Sequence, residues 1–389
     1  MNSNAGKNNP WKTVPVFLAF LCMGFGDAVG PFVGLAREEF RISNTLAQMI
    51  PFTGFIMFGI LSIPMGIFQD RKGKKPVLII GLAIALVGIV IPVIAGLQHF
   101  LWFLLTVLLL GAGATILQVA GNPIMRDVSP EGKYSRNLSL GQFVKAIGSL
   151  SGPLIPVVAA RWLGVGWELI FPVYSVALLV TLLIVAATPI REKTGKVKVT
   201  ATFRSCFTLL SNGFVALMVA AIFLYVGAEV SMSSAIPLYL EEKYGIDIET
   251  LGVAGSGFFF IAIMAGRFLG SVILNWMKPR VFLTLTSLLA FISIMGLFIG
   301  NQAVSIVSIF VAGLAFANIF PLIFSITVDR MPERSNELSG LMVTAIVGGA
   351  LLPPLMGIVS DIASVTAGFA VPLAAILFVL ITSLLLQRK

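Results

Sequence analysis

Apolar blocks of roughly 20 to 27 residues recur along the whole chain, and a helix of that length crosses the ~30 Å hydrocarbon core of a bilayer. The blocks do not alternate in polarity every second residue, as the strands of a membrane barrel do, and they contain glycine and proline freely. Charged residues make up 11% of the sequence, against about a quarter in soluble domains, and 58% of the residues are hydrophobic. The sequence therefore predicts an all-α membrane protein.

The blocks predict about twelve membrane-spanning helices in two pseudo-symmetric six-helix halves. The predicted spans of the first half cover residues 14–36, 45–67, 76–96, 100–125, 136–160 and 167–188. Those of the second half cover residues 213–240, 250–276, 281–300, 303–328, 337–358 and 367–386. The halves are expected to form two domains, residues 1–190 and 213–389, joined by a solvated basic cytoplasmic linker at residues 191–212.

An internal repeat supports the division into halves. Four residues of the fifth predicted span recur in the eleventh at a spacing of 200: Leu138, Ser139, Gly148 and Pro153 correspond to Leu338, Ser339, Gly348 and Pro353. In transporters built from such parallel repeats, the substrate site lies near the midplane between the halves, and each half rocks about it.

Basic residues are concentrated on one side of the predicted membrane. All but six of the 26 Lys and Arg residues fall in segments that face the cytoplasm when both termini lie there. The positive-inside rule then predicts this orientation. The net charge of +9 follows from the same asymmetry and indicates contact with anionic lipid rather than with nucleic acid.

Motifs that would indicate an enzyme, a cofactor or a metal site are missing from the sequence. It has a single histidine, His99, and contains neither a nucleophile motif nor a glycine-rich phosphate loop. Cys22 falls in a span and Cys206 near the predicted cytoplasmic surface, so a disulfide is not expected. The first apolar block contains Asp27 and no small-residue cleavage site, so it is predicted to remain as the first helix.

The segment after the second predicted span carries the most specific motif in the chain. It reads Gly66-Ile-Phe-Gln-Asp-Arg-Lys-Gly-Lys-Lys75 and closely resembles the signature loop of the major facilitator superfamily. Gly66 allows two helices to approach closely, Gly73 allows a tight turn, and Asp70 can cap the N-terminus of a neighbouring helix. The resemblance implies that these two glycines, Asp70 and Arg71 act in gating rather than in substrate contact.

Six further stretches, in order along the chain, resemble the fucose/proton symporter and glucose/galactose transporter branch of that superfamily. They are residues 118–123, 137–142, 225–229, 266–270, 320–325 and 344–349, the last continuing to residue 361. The resemblance covers nearly the whole chain. It implies a monomeric transporter of a bacterial inner membrane that imports a monosaccharide or sugar derivative by alternating access, driven by H+ or Na+.

Neutral polar side chains inside the predicted spans are suited to bind sugar hydroxyls. The amides of Gln118 and Asn122 share a helix face because of their spacing of four. The candidate substrate-binding set also contains Gln142, Tyr225 and Asn318.

Asp27 lies near the middle of the first predicted span, where a charge costs about 2.5 to 3.5 kcal/mol. The branch keeps a carboxylate here that takes part in proton coupling, so the resemblance implies that Asp27 is an ion-coupling residue. A purely structural role in holding neighbouring helices is the alternative. The branch keeps a second carboxylate in helix four, but this chain has Gln118 there, which carries no titratable proton. The usual two-carboxylate coupling is therefore in doubt.

Lys145 stands three residues after Gln142 on the same helix face, where the branch usually has a neutral Asn. Asp27 or Glu229, or both, are expected to neutralise it. Three roles for Lys145 remain open: binding an anionic substrate such as an acidic sugar, forming a switchable ion pair that replaces the missing carboxylate, or forming a static buried pair. Glu229 is a candidate for both substrate binding and ion coupling, and Arg267 is assigned to gating.

Functions other than sugar import remain open at this level. The chain could carry an anionic sugar or metabolite through Lys145, export drugs or metabolites on the same fold, or act as a membrane sensor without transport. The sugar-branch motifs favour import over export. A sensor would bind its ligand without moving it across vesicles.

Overall fold

The structure is a computed structural model that describes residues 13–27, 36, 39–42, 49–97, 99–190, 192, 202–246 and 253–387. Ten of its long helices are α1 (Val14–Asp27), α2 (Met49–Lys72), α3 (Lys74–Ala95), α4 (Phe100–Val128), α5 (Tyr134–Val158), α6 (Ile170–Ala187), α7 (Gly213–Tyr244), α8 (Val253–Ile273), α9 (Pro279–Gly296) and α12 (Ala370–Gln387). Helix α10 has two segments, Gln302–Phe316 and Ile319–Arg330, and α11 has the segments Ser335–Thr344 and Gly348–Ile362. Short helical elements are Ala159–Leu163, Trp167–Leu169, Phe203–Thr208, Leu209–Ser211, Pro332–Arg334, Ala345–Val347 and Val365–Gly368.

Each predicted span overlaps one of the helices α1 to α12. Within the part of the chain that the structure describes, nine helices are long and apolar enough to cross a membrane, and α1 and α8 contribute shorter apolar stretches. The first predicted span runs beyond Asp27 into residues outside the described part. The total of twelve membrane crossings stays a prediction.

The segment predicted as a loop after the second span is helical, which corrects the sequence analysis. Helix α2 continues to Lys72, and Gly73 alone separates it from α3. The φ angle of Gly73 is 91°, a left-handed value that favours glycine and makes the predicted tight turn. Arg71 and Lys72 lie in the last turn of α2, where positive charge is favourable at the negative end of the helix dipole. The carboxylate of Glu192 accepts the first two backbone N–H groups of α3, at 2.8 and 2.9 Å.

Part of the predicted linker is also structured. Phe203–Thr208 is a short helix in which the Cys206 side chain is buried, and Leu209 in the following turn is buried as well. This part of the linker is therefore packed rather than fully solvated as predicted. The linker residues 191 and 193–201 lie outside the described part.

The break in α10 has a local cause. Its two segments are separated by Ala317 and Asn318, and Pro321 follows in the first turn of the second segment. Proline has no N–H to donate to the carbonyl four residues earlier, which here is that of Ala317. The helix therefore interrupts its hydrogen-bond ladder at this point.

The helices form two compact units. Unit 1 takes in Met1–Tyr134, Val144–Cys206 and Pro332–Thr344, and unit 2 takes in Ser135–Phe143, Phe207–Met331 and Ala345–Lys389. The units follow the predicted halves except for the starts of α5 and α11, each of which packs in the unit of the opposite half. These two helices are the ones that the internal repeat relates. The domain limits at residues 190 and 213 themselves stay a prediction.

The repeated glycines make equivalent contacts within their own units. A side chain on Gly148 of α5 would collide with the carbonyl oxygen of Leu21 in α1. A side chain on Gly348 of α11 would collide in the same way with the carbonyl oxygen of Phe223 in α7. In each unit the absence of a Cβ allows two backbones to touch. The repeat therefore preserves a packing contact between the first and fifth helices of a half.

Candidate functional site

An ion pair in unit 1 is positioned by the contact between α1 and α5. A Cβ on Gly148 would lie 3.2 Å from the Cα of Gly24, so the two helices touch at these residues. Asp27 follows Gly24 by three residues and Lys145 precedes Gly148 by three, which brings their side chains together. The Nζ atom of Lys145 lies 2.8 Å from Oδ2 of Asp27.

Neutral polar groups surround this ion pair. Lys145 Nζ also donates to Oε1 of Gln118 on α4, at 3.2 Å. The Ser149 hydroxyl lies 3.3 Å from Asp27 Oδ2 and 3.2 Å from the Lys145 carbonyl oxygen. The Asp27 side chain is 31% exposed and that of Lys145 only 9%. The protein therefore encloses the ammonium more completely than the carboxylate.

Asn122 adds an amide with unused hydrogen-bonding capacity. It lies one turn beyond Gln118 on α4 and is fully buried. Neither its Oδ1 nor its Nδ2 atom has a hydrogen-bond partner among the described residues. Leaving a buried polar group unpaired costs about 1 to 3 kcal/mol, so a ligand that bonds to this amide would recover free energy. The amide offers both donors and an acceptor, as a sugar hydroxyl requires.

A second ion pair lies in unit 2. Oε1 of Glu229 on α7 is 3.6 Å from Nη2 of Arg267 on α8, and the side chains are 19% and 12% exposed. Nη1 of Arg267 donates to the backbone carbonyl of Gln142 at 3.3 Å. The Arg267 Nε and Gln142 Nε2 atoms have no partner in the described part of the chain. Of the two carboxylates expected to neutralise Lys145, Asp27 makes the contact, and Glu229 pairs with Arg267.

Tyr225 and Asn318 take part in helix packing within unit 2. The Tyr225 hydroxyl donates to the carbonyl of Phe316 at 2.8 Å, and the Tyr225 residue is fully buried. Asn318 Nδ2 donates to the carbonyl of Gly266 at 2.6 Å, and its side chain occupies the space beside Gly270. These contacts join α7 and α8 to α10. The tyrosine hydroxyl and one side of the asparagine amide are thus already engaged.

The predicted gating residues contact the start of α11 within unit 1. A Cβ on Gly66 would lie 3.0 Å from both the Asn336 carbonyl oxygen and the Gly340 Cα. Asp70 Oδ1 accepts a hydrogen bond from Asn336 Nδ2 at 3.1 Å, in the first turn of α11. Gln69 Nε2 reaches the Asn336 carbonyl oxygen at 3.4 Å. The predicted close helix approach and the position of the carboxylate at a helix N-terminus are both observed.

The sequence matches the Major Facilitator Superfamily over residues 16–346. The chain belongs to the major facilitator superfamily. It is 27% identical to a glucose/galactose transporter of Brucella abortus, over 95% of this chain and 93% of that protein. It is 24% identical to an L-fucose-proton symporter of Haemophilus influenzae, over 88% and 87% of the two chains. The crystal structure of the major facilitator transporter FucP in the outward conformation matches its fold with a TM-score of 0.82 at 20% identity, covering 96% of this chain and 99% of the other.

The family match confirms the all-α major facilitator fold and a multi-pass membrane protein.

In this member of the superfamily, the first residues of α5 and α11 pack in the unit of the opposite half, and they make comparable polar contacts there. The Ser135 and Ser325 hydroxyls of unit 2 lie 2.7 Å apart. In unit 1, the Ser339 hydroxyl donates to the Val119 carbonyl at 2.6 Å. Both repeat-related helices therefore enter the opposite half at their N-terminal ends.

Two charge clusters in this facilitator were not expected from its sequence. Lys74 Nζ and Asp127 Oδ2 form a buried ion pair at 2.5 Å. Arg334 donates to both carboxylate oxygens of Glu337, at 2.5 and 2.8 Å, and the Ser205 hydroxyl bonds to the same carboxylate. Lys74, Asp127 and Arg334 fall in predicted cytoplasmic segments, and Glu337 begins the eleventh predicted span. Lys74 and Asp127 are 53 residues apart, so their spacing carries no local signal of pairing. Arg334 and Glu337 are three residues apart, a spacing at which side chains on a helix are neighbours.

Proposed function

We propose that this chain is a secondary active transporter that imports a monosaccharide or sugar derivative by alternating access, coupled to H+ or, in a variant of the same mechanism, to Na+. The observation that carries the proposal is the Asp27–Lys145 ion pair, whose ammonium bonds to Gln118, one helical turn from the unpartnered amide of Asn122. A carboxylate and an unpartnered amide in the same unit suit the coupled binding of a cation and a hydroxyl-rich molecule. The names of the related transporters support the same substrate class and, for the fucose symporter, the proton.

A neutral sugar fits this site better than an anionic substrate. The positive charge of Lys145 is balanced by Asp27 at 2.8 Å, and Gln118 supplies a further acceptor at 3.2 Å. With Asp27 ionised, an anionic substrate would have to displace its carboxylate to reach the ammonium, and the names of the related transporters give neutral sugars. We therefore assign sugar binding to Gln118, Asn122 and Lys145, with Gln142, Tyr225, Glu229 and Asn318 as further candidates from the sequence.

The contacts at the start of α11 support a gating role for the residues of α2 that make them. This segment comes from the second half of the chain but packs on α2, so it must separate from Gly66 and Asp70 when the transporter opens at this end. Gly73 and Arg71 complete the α2–α3 junction next to these contacts. In unit 2, Arg267 makes the comparable contact, because its Nη1 atom donates to the Gln142 carbonyl near the start of α5. We assign these five residues to gating.

The same proposal places the protein in a bacterial inner membrane as a monomer with both termini in the cytoplasm. The bacterial origin of the related transporters supports the membrane, and the distribution of Lys and Arg supports the orientation. Arg71 and Lys72 are exposed at the α2–α3 junction, as expected for a surface that faces the cytoplasm.

Uptake into proteoliposomes tests the proposed function. Labelled D-glucose, D-galactose, L-fucose, D-glucuronate and D-galacturonate would be offered with an imposed pH gradient, an imposed Na+ gradient, or neither. We expect one of the neutral sugars to accumulate above its external concentration with a pH or Na+ gradient. Transport of the acidic compounds alone would replace this function by anion transport, and binding without flux would indicate a sensor.

The Asp27→Asn variant tests the coupling role of the carboxylate. It removes the charge with little change in size, so exchange of labelled for unlabelled sugar should continue while accumulation against the gradient is lost. Glu131→Gln removes an exposed carboxylate outside the site and is the matched control. Accumulation by Asp27→Asn at the wild-type level would show that the coupling ion binds elsewhere.

A further inference from the structure

We propose that Lys145 links the coupling ion to the sugar: protonation of Asp27 releases the Lys145 ammonium, which then binds the sugar together with Gln118 and Asn122. This inference rests on the function proposed above and assigns a residue to its coupling step. It makes Lys145 both a substrate ligand and the functional replacement for a second carboxylate.

The mechanism starts from a resting state in which Asp27 and Lys145 form an ion pair with no net charge. The Lys145 ammonium has three N–H donors, and the structure gives one to Asp27 at 2.8 Å and one to Gln118 at 3.2 Å. With Asp27 ionised, the two charges cancel, so the site holds no uncompensated charge and needs no ion from solution. A sugar that approaches this pair finds the ammonium already engaged.

Protonation of Asp27 changes this balance. One H+ from the solvent adds to a carboxylate oxygen of Asp27, forming an O–H bond, and the site changes from neutral to singly positive. The protein leaves 31% of the Asp27 side chain uncovered, so packing does not seal the carboxylate from that proton. Lys145 keeps its own proton but loses its counter-ion at a position where only 9% of its side chain is exposed, so it requires new acceptors.

Once Asp27 is protonated, the Lys145 ammonium turns towards Gln118 and Asn122. Gln118 already accepts from the ammonium, and Asn122 lies about 6 Å further along the α4 axis with an unpartnered Oδ1. The flexible four-carbon stem of lysine allows a movement of this size. A sugar hydroxyl between the ammonium and the Asn122 amide would bond to both, since a hydroxyl both donates and accepts. The sugar therefore binds more tightly when Asp27 carries its proton.

The groups around Asp27 support a role for Lys145 rather than for another charge. Lys145 and Ser149 on α5 contact Asp27, and Gln118 on α4 contacts Lys145. Tyr174 on α6 stacks on Phe25, two residues before Asp27, and its hydroxyl bonds to Ser151. Among the described residues, Lys145 is the charged group that contacts Asp27. Gln118 cannot carry a proton, so the response to protonation falls to the ammonium.

Lys145→Asn tests the proposal in the intact transporter, using the neutral sugar that the wild-type protein accumulates. Without the ammonium, the proton on Asp27 no longer changes the sugar site. We expect exchange to continue with weaker affinity while the accumulation ratio under a pH gradient falls to about one. The sugar affinity of the wild type should fall as the pH rises, by up to about tenfold per pH unit, whereas that of the variant should change little. Lys133→Asn, in the α4–α5 connection, is the control.

Lys145→Arg tests whether Lys145 acts through its fixed positive charge or by carrying a proton itself. Arginine keeps the positive charge but does not lose its proton in proteins, so it should preserve both accumulation and the pH dependence of sugar affinity. If Lys145→Asn does not fold, this variant decides: pH-independent sugar binding by Lys145→Arg would overturn the proposal, and wild-type dependence would support it.

The outcomes also separate this inference from the proposed function. A wild-type protein that moves no sugar contradicts the function itself. A wild type that accumulates sugar, together with a Lys145→Asn variant that accumulates it equally well, overturns the role of Lys145 and leaves the function in place. Loss of acidic-sugar transport alone in Lys145→Asn would make the lysine a ligand for anions.

Discussion

Gly24 in α1 and Gly148 in α5 touch through their backbones, and this contact sets the distance between Asp27 and Lys145. A Cβ on Gly24 would collide with the carbonyl oxygen of Lys145 itself, so the two glycines and the ion pair form one structural arrangement. The position of the charges therefore depends on residues that carry no charge.

Gly148→Ala should disturb this arrangement. The added methyl group meets the backbone of Leu21, which cannot move aside as a flexible side chain can, so α1 and α5 must separate at a cost of about 1 to 3 kcal/mol. We expect lower thermal stability in detergent and weaker sugar transport. Gly357→Ala is the matched control, because a Cβ there meets nothing within 4 Å. Equal stability of the two variants would contradict the close contact.

Lys74→Met should destabilise the protein more than the loss of an exposed lysine does. Lys74 and Asp127 are 6% and 2% exposed, and removing one partner of a buried ion pair costs about 3 to 5 kcal/mol. Unfolding in detergent would measure the loss, with Lys72→Met as the exposed control. The double variant Lys74→Met with Asp127→Leu should recover part of the stability. No difference between the two lysine variants would exclude a stabilising pair.

Asp70→Asn should slow transport without changing sugar affinity. The Asp70 carboxylate accepts a hydrogen bond from Asn336 at the start of α11, away from the residues assigned to the sugar. A hydrogen bond to a charged group contributes about 1.5 to 3 kcal/mol, so its weakening should shift the gating equilibrium by about tenfold. Initial rates of uptake over a range of sugar concentrations would show a lower maximal rate at an unchanged KM. A change confined to KM would place Asp70 at the substrate site instead.

Cys206 should react slowly with thiol reagents at neutral pH. Burial, followed by the negative charges of Glu337 and Asp70, raises the pKa of its thiol to about 11, although Arg334 opposes the shift. About one thiol in ten thousand is then ionised at pH 7, and the thiolate is the reactive form. In a Cys22→Ser background, alkylation should accelerate by about tenfold per unit between pH 7 and 9. Protein unfolded in detergent is the reactive control, and fast labelling of the folded protein at pH 7 would contradict this prediction.

The local features of this chain were predictable from its sequence because they depend on neighbours along the chain. Apolar block length located the helices, and the glycine at position 73 located the turn between α2 and α3. The helical continuation of α2 to Lys72 was missed because polar residues at a helix end resemble those of a loop. The break in α10 follows from Pro321, which is also a local cause.

The helical class, the family and the set of polar residues inside the spans follow from composition, periodicity and motifs, which are properties of the chain alone. Helix packing selects which of these residues meet. Asp27 rather than Glu229 neutralises Lys145, and Arg267 takes the second carboxylate. These pairings depend on contacts between helices far apart in sequence, such as that of Gly24 with Gly148, which no local pattern along the chain specifies.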